Sequence, residues 1–342
     1  MDGINATASF GVSNNTIVNI VAQILVYGIL PLSFVIGTIG NIWALKVLLS
    51  PHYTKSSTGI YMIALEIFDI SVVSIATPVL FVRIVFEMEA LSNEFCQFYY
   101  FLLMFTSSSS NLTMAFMSID RLFVVWSPFR AKAICTPKKA RIVLAIMVIL
   151  LTGYSVGRIV PVRMYDYGTL KDCDYPLGGN ARLFVSFFHN VIQFLLPFVI
   201  IFTCNVTIAT ILVLQAGKRK DMTTGTSKSQ KNLTIMLISI STVFLVLNLP
   251  LFAYRILKYM SNVDRIVLNL TYWVARGFTG LNSAVNFYLY CMTSQRFRAQ
   301  LCKRGHRDSQ DTHTINSIYQ TADSPTGGAK PIDSPTGSAK PN

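Results

Sequence analysis

Charge is what this sequence lacks. Of its 342 residues only 13% are charged and 52% are hydrophobic, whereas an ordinary soluble domain carries about a quarter charged residues. No Asp, Glu, Lys or Arg stands between Asp2 and Lys46, nor between Arg182 and Lys218. Gaps of that length exclude the surface helices of a soluble bundle, which need a polar face. Because Lys and Arg are missing before Lys46, no basic segment precedes the first apolar stretch. That stretch is therefore expected to direct its own insertion rather than to be a cleaved signal peptide. Internal repeats and paired Gly/Pro-broken helices are missing from the apolar part too, which argues against a transporter or channel.

The apolar residues that are present fall into seven runs, near 20–48, 58–84, 95–126, 140–161, 183–214, 233–258 and 266–292. Each is long enough to cross a bilayer as a helix of about 20 residues. The reading is an all-α membrane protein, a seven-transmembrane helix bundle with a short amphipathic eighth helix. Its parts are an N-terminus over 1–19, the bundle over 20–293, a juxtamembrane helix over 294–304 and a disordered tail over 305–342.

The net charge of +13 resembles a nucleic-acid binder's until it is mapped. With the N-terminus outside, 20 of the 29 Lys and Arg residues fall on the inner side, while nine basic residues face eight acids outside. This positive-inside bias sets the topology and points to a lipid bilayer, not nucleic acid, as the partner. Asn5 and Asn14 head Asn-x-Thr triplets in the external segment and are read as glycosylation acceptors.

Of the six cysteines two face outside, Cys96 at the start of the third span and Cys173 in the loop 162–182. In an oxidising compartment they would tie that loop to the bundle. Cys204 and Cys291 lie inside spans. Cys302 follows the stretch from Phe297 to Leu301 and is placed for palmitoylation at the membrane surface. The tail ends in a tandem decamer, read as a spacer, with Ser324 and Ser334 each preceding a proline and a Ser/Thr-rich stretch over 309–326 open to phosphorylation.

Asp120 and Arg121 stand side by side at the inner end of the third span, where interfacial snorkelling alone would tolerate them. Their neighbours in the pattern are more telling: Gly40 and Asn41 in the first span, Leu65 and Asp69 in the second, Pro197 in the fifth, Phe244 and Pro250 in the sixth, Asn286 and Tyr290 in the seventh, with Cys96 lying 25 residues before Arg121. In that order the chain resembles the rhodopsin-like G-protein-coupled receptors over residues 20 to 303. "LNSAVNFYLYCMTSQRFR" and "PFRAKAICTPKKAR" further resemble invertebrate receptors for FMRFamide-like and myosuppressin-like neuropeptides.

The resemblance implies a plasma-membrane receptor with an extracellular N-terminus and a cytoplasmic C-terminus, partnered by an extracellular peptide, a heterotrimeric G protein, and arrestin and receptor kinase at the tail. It implies a switch of Asp120, Arg121, Phe244, Asn248, Pro250, Asn286 and Tyr290. It also implies an allosteric sodium pocket of Asp69, Ser110, Asn282, Ser283 and Asn286; the other reading of Asp69 is a carboxyl satisfied by Asn286 alone. Departures touch the switch: Asn248 replaces a usual Trp, Phe287 a usual Pro, Leu122 a Tyr and Asn205 a Tyr.

An amine receptor would carry Asp where Leu103 stands, and an opsin would carry a lysine within 266–293, where none occurs. The outer bundle offers Arg255, Arg276, Tyr272 and Trp273, with Leu103, His189 and Gln193 facing the same vestibule, and Arg83 and Arg158 as interfacial arginines. An acidic rim of Glu87, Glu89, Glu94, Asp166, Asp172 and Asp174 would attract a basic peptide. A receptor for an acidic or lipid ligand is the alternative within the same fold.

A competing class is an intramembrane serine hydrolase, since "GYSVG" over 153–157 matches G-x-S-x-G and His189 lies in another span. That motif needs a strained turn or an opened helix, and here it sits in an apolar helix. Close helix packing is the simpler role for its glycines. The chain is read as a receptor, not an enzyme.

Overall fold

In a computed structural model of the chain, residues 15–79, 81, 92–161, 163–166, 171–174, 184, 187–218, 225–258 and 263–302 are described, without the side chains of 76, 163–166, 171–174, 216–218 and 225–231. Asn5, Asn14, Arg83, Glu87, Glu89 and the tail from residue 303 lie outside these.

Among the described residues, seven long helices occupy the expected places. The first is Thr16–Leu48 and the second Ser57–Val79. The third is Asn93–Trp126 and the fourth Pro137–Ile159. The fifth runs over 187–218, and the sixth is Gly225–Leu257. The seventh comes in two pieces, Arg265–Ala284 and Asn286–Thr293. The third packs on the second, fourth, fifth and sixth, and the seventh on the first, second and sixth. Five of the seven are long and apolar enough to cross a membrane by composition. The third and the seventh carry the polar residues described below.

Several helices begin earlier than their apolar windows because caps start them. Asn15 Oδ1 accepts from the amides of Ile17 (2.9 Å) and Val18 (3.4 Å), and Ser92 Oγ from Phe95 (3.2 Å). Thr136 Oγ1 accepts from Lys139 at 3.3 Å, with Pro137 at the first helical position, and Asp264 Oδ1 accepts from Ile266 at 2.8 Å. Each side chain satisfies amides that the helix leaves without partners.

Among the described residues, helices widen into π turns at Ile24–Ile29, Val72–Ala76 and Val191–Leu195. Each precedes a proline: Pro31, Pro78 and Pro197. A proline lacks the N–H that would bond the carbonyl four residues back, and its ring pushes that carbonyl away. Those carbonyls belong to Tyr27, Ser74 and Gln193, all inside the widened turns. The Gln193 carbonyl is recaptured by Asn111 Nδ2 at 2.8 Å, which links the third span to the fifth.

Exposure is inverted relative to a soluble protein. On the fourth span Ile149 and Leu150 are 70% and 67% exposed, whereas Asp69 and Ser108 inside the bundle are 1% and 0%. Apolar residues outside and polar ones inside suit a hydrocarbon solvent.

The loop expected over 162–182 carries an antiparallel hairpin, β1 Arg163–Asp166 with β2 Lys171–Asp174, in which Cys173 lies opposite Met164. At four residues, its strands are too short to show an alternating pattern. After the seventh span, residues 295–302 are helical, and Ser294 Oγ caps them by accepting from the Phe297 amide at 3.2 Å.

Candidate functional site

At the end of the bundle away from the hairpin, Asp120 and Arg121 are both buried. Arg121 Nη2 donates to Asp120 Oδ2 at 2.9 Å, and Thr58 Oγ1 donates to that same oxygen at 2.7 Å. In a buried ion pair, additional hydrogen bonds help offset the cost of desolvation; Thr58 supplies one to Asp120, while Arg121 Nε has no partner. The Cys135 thiol donates weakly to the Asp120 carbonyl at 3.7 Å. Burial first, and then the negative Asp120, push that thiol up to about 12.

Across the bundle from Arg121, Asn205 Nδ2 donates to Ser241 Oγ at 2.8 Å, binding the fifth span to the sixth. These three residues line one small cavity with Met117, Ser118 and Ile208.

Midway along the bundle, Ser110 Oγ donates to Asp69 Oδ1 at 2.7 Å and Asn286 Nδ2 to Asp69 Oδ2 at 2.6 Å. Ser283 faces the same carboxyl, and its backbone carbonyl accepts from Asn41 Nδ2 at 2.7 Å. Asn282 makes no bond to Asp69. Both carboxyl oxygens carry protein donors, and Asn286 presents its amide nitrogen, where a cation needs oxygen. As arranged, the residues do not fit a sodium ion; they form a hydrogen-bonded carboxyl held by Ser110 as well as Asn286, not by Asn286 alone. One turn earlier lies Glu66, fully buried with neither oxygen hydrogen-bonded. The sequence reading passed over it, although an acid inside an apolar span is itself a signal.

Tyr290 is fully buried and packs on Phe297, ring centroids 5.2 Å apart. Phe287, which replaces the usual Pro, fills the space beside Gly40, where an added Cβ would meet Phe287 Cβ at 3.1 Å. In the sixth span, Asn248 Nδ2 donates to the Phe244 carbonyl at 2.8 Å. Asn248 thus bonds back along its own helix, two residues before Pro250. Arg298 Nη1 caps the seventh span by donating to the carbonyls of Cys291 (2.6 Å) and Met292 (3.1 Å).

Towards the hairpin end, Arg255 donates to Asn190 Oδ1 and, at 3.5 Å, to Gln193 Oε1, with its guanidinium 4.3 Å from the Phe194 ring centroid. Below it, Gln193, Phe194, Phe198, Phe244, Asn248 and Phe252 line a mainly apolar cavity. Arg276 lies 5.2 Å from the Tyr272 ring and interacts with Tyr99 and Tyr100 of the third span. Leu103, one turn below Tyr99, is half-buried. Trp273 differs from expectation: it is buried with Val18, Ala22, Leu25 and Val26 of the first span, and Tyr272 packs against the edge of the same cluster.

Cys96 is disulfide-bonded. Cys135, Cys204, Cys291 and Cys302 are free, Cys302 being exposed.

The family described as 7 transmembrane receptor (rhodopsin family) matches residues 40–290. The chain belongs to that family. It is 23% identical over 278 residues to galanin receptor type 2 of Rattus norvegicus, which covers 78% of this chain and 72% of that protein. It is 24% identical over 281 residues to the allatostatin-A receptor of Bombyx mori, covering 79% and 76% respectively.

A rhodopsin-family receptor is not an enzyme, and the "GYSVG" geometry agrees. Ser155 Oγ is buried without a hydrogen bond, while His189 Nδ1 pairs with the Tyr154 hydroxyl at 3.0 Å. The close-packing reading of Gly153 and Gly157 fails as well, since an added Cβ at either would meet nothing within 4 Å. Both glycines are exposed on the outside of the bundle.

Proposed function

We propose that this receptor sits in the plasma membrane with its N-terminus and hairpin extracellular, binds a short neuropeptide at the hairpin end and activates a heterotrimeric G protein at the Arg121 end. The observation that carries the reading is Arg276 among Tyr272, Tyr99 and Tyr100, in a chain similar to two proteins named as receptors for peptides. A guanidinium over the Tyr272 ring, and hydrogen-bonded to that side chain, still has donors in its fork for a peptide carbonyl or carboxylate. Arg255, anchored on Asn190 and Gln193, forms the second contact, and His189, Leu103 and the apolar cavity below take side chains.

A bridge from Cys96 to Cys173, the remaining cysteine, ties the hairpin to the third span. The switch is Asp120–Arg121: once the pair parts and the sixth span moves out, Arg121 meets the G protein and Tyr290 follows. Arrestin and receptor kinase act on the tail, Cys302 takes a palmitoyl chain, and Asn5 and Asn14 carry glycans.

The test is calcium and cyclic AMP output in cells expressing the receptor, challenged with a neuropeptide library including galanin-like, allatostatin-like and amidated FMRFamide-like peptides. A dose-dependent response that Arg121→Ala abolishes and Arg276→Ala shifts by roughly tenfold or more, the scale of one lost charged contact, supports the reading. Unchanged potency in surface-expressed Arg276→Ala removes Arg276 from the site. Silence to every peptide favours an acidic or lipid ligand.

A further inference from the structure

Glu66 and Tyr290 pose one problem twice. The Glu66 carboxyl is fully buried with neither oxygen hydrogen-bonded, and the Tyr290 hydroxyl is fully buried with no hydrogen bond either. The two groups interact with each other, Glu66 on the second span and Tyr290 on the seventh. Leaving a buried polar group unsatisfied is costly, and more so for a carboxylate, so two such groups side by side have a strong tendency to bond. Asp69, one turn along the same helix, is already occupied by Ser110 and Asn286. Tyr290 is held in place by Phe297, itself fully buried. All of this coexists with an intact Asp120–Arg121 pair.

We propose that Glu66 is the positioning residue of the receptor switch, its carboxyl accepting the Tyr290 hydroxyl hydrogen in the locked state so that this bond must break before Tyr290 leaves the second span. The inference rests on reading Tyr290 as part of the switch. Asp120–Arg121 locks one end of the third span; Glu66–Tyr290 is a second, independent latch between the second and seventh.

Two measurements on the full-length receptor in nanodiscs test it. The first is thermal unfolding of the wild type, Glu66→Leu, Tyr290→Phe and the double variant, which forms a double-mutant cycle. The latch predicts that the double variant melts no lower than the worse single one, whereas additive losses overturn it. The second is ligand-independent nucleotide exchange on a purified G protein. Glu66→Leu is expected to raise it roughly fivefold or more, the low end of ordinary allosteric coupling, and Glu66→Gln, which keeps an acceptor, to leave it near wild type. Equal rates in Glu66→Leu and wild type, or equal elevation in Glu66→Leu and Glu66→Gln, overturn the role in switching. Should Tyr290→Phe signal like the wild type in every assay, it is the reading of Tyr290 that fails, while the thermal cycle still judges the contact.

Discussion

Thr58 donates a 2.7 Å hydrogen bond to the Asp120 oxygen that also receives Arg121. The second span therefore holds the ion pair from the side, and Asp120 is not free to turn without breaking both bonds.

Removing that hydroxyl should loosen the lock. Thr58→Val keeps the shape and deletes a hydrogen bond to a charged group, worth about 1.5–3 kcal/mol. The expected outcome is raised basal signalling with unchanged surface expression, measured as ligand-independent second-messenger output. Basal output equal to wild type would show that Arg121 alone holds Asp120.

Gly59, next along the helix, has no room for a side chain. An added Cβ would lie 2.0 Å from the Tyr53 carbonyl oxygen, a backbone atom that cannot swing aside. Gly59→Ala should therefore cost more than the usual 1–3 kcal/mol of overpacking, seen as a large drop in unfolding temperature. Gly153→Ala, facing open space, should be neutral or mildly stabilising through its better helix propensity.

Cys135 supplies a pH prediction. Its thiol, pushed up to about 12 by burial and then by Asp120, stays protonated in the fold where a free thiol would ionise. The folded chain thus binds this proton more tightly than the unfolded chain. That contribution to stability is complete below the ordinary thiol range and is lost as pH rises through about 12. Because the thiolate is the nucleophile, maleimide labelling of Cys135 should trail far behind that of the exposed Cys302 near neutrality and climb without a plateau up to pH 10. A plateau below that would mean the site is open to water.

Among the described residues, Asn111 makes the side-chain bond to the Gln193 carbonyl that Pro197 leaves open. Asn111→Ala should lower stability by about 1–3 kcal/mol, the cost of one unsatisfied buried carbonyl. If the loss is read by thermal unfolding, Pro197→Ala in the same background should restore part of it, since an N–H returns.

Much of this was legible because charge stands out against an apolar background. The seven runs and the lone Asp120–Arg121 charges follow from that contrast, whereas the placement of Asp69 beside Asn286 came from the family resemblance. Glu66 was overlooked because Asp69, three residues later, had already been given the role of the buried acid. Trp273 misled because residue type says nothing of helix face: its ring is buried against the first span, whereas Tyr272 beside it also reaches Arg276. Gly153 and Gly157 misled for a related reason, as small residues at close spacing serve packing only on a buried face. The π turns needed one further step, from each proline to the carbonyl four residues before it.

The widened turn at Val191–Leu195 puts the two halves of the fifth span out of phase. A π turn holds about one residue more than an α turn, so everything on its hairpin side is rotated by roughly 100° relative to a regular helix. Asn190 and Gln193, which hold Arg255, thus keep a different angular register from Asn205, which holds Ser241. Across lineages, one residue gained or lost inside that turn could re-aim the outer face towards a new ligand while the inner face kept its partner, so taste for a ligand and the machinery of response could descend separately within a single helix.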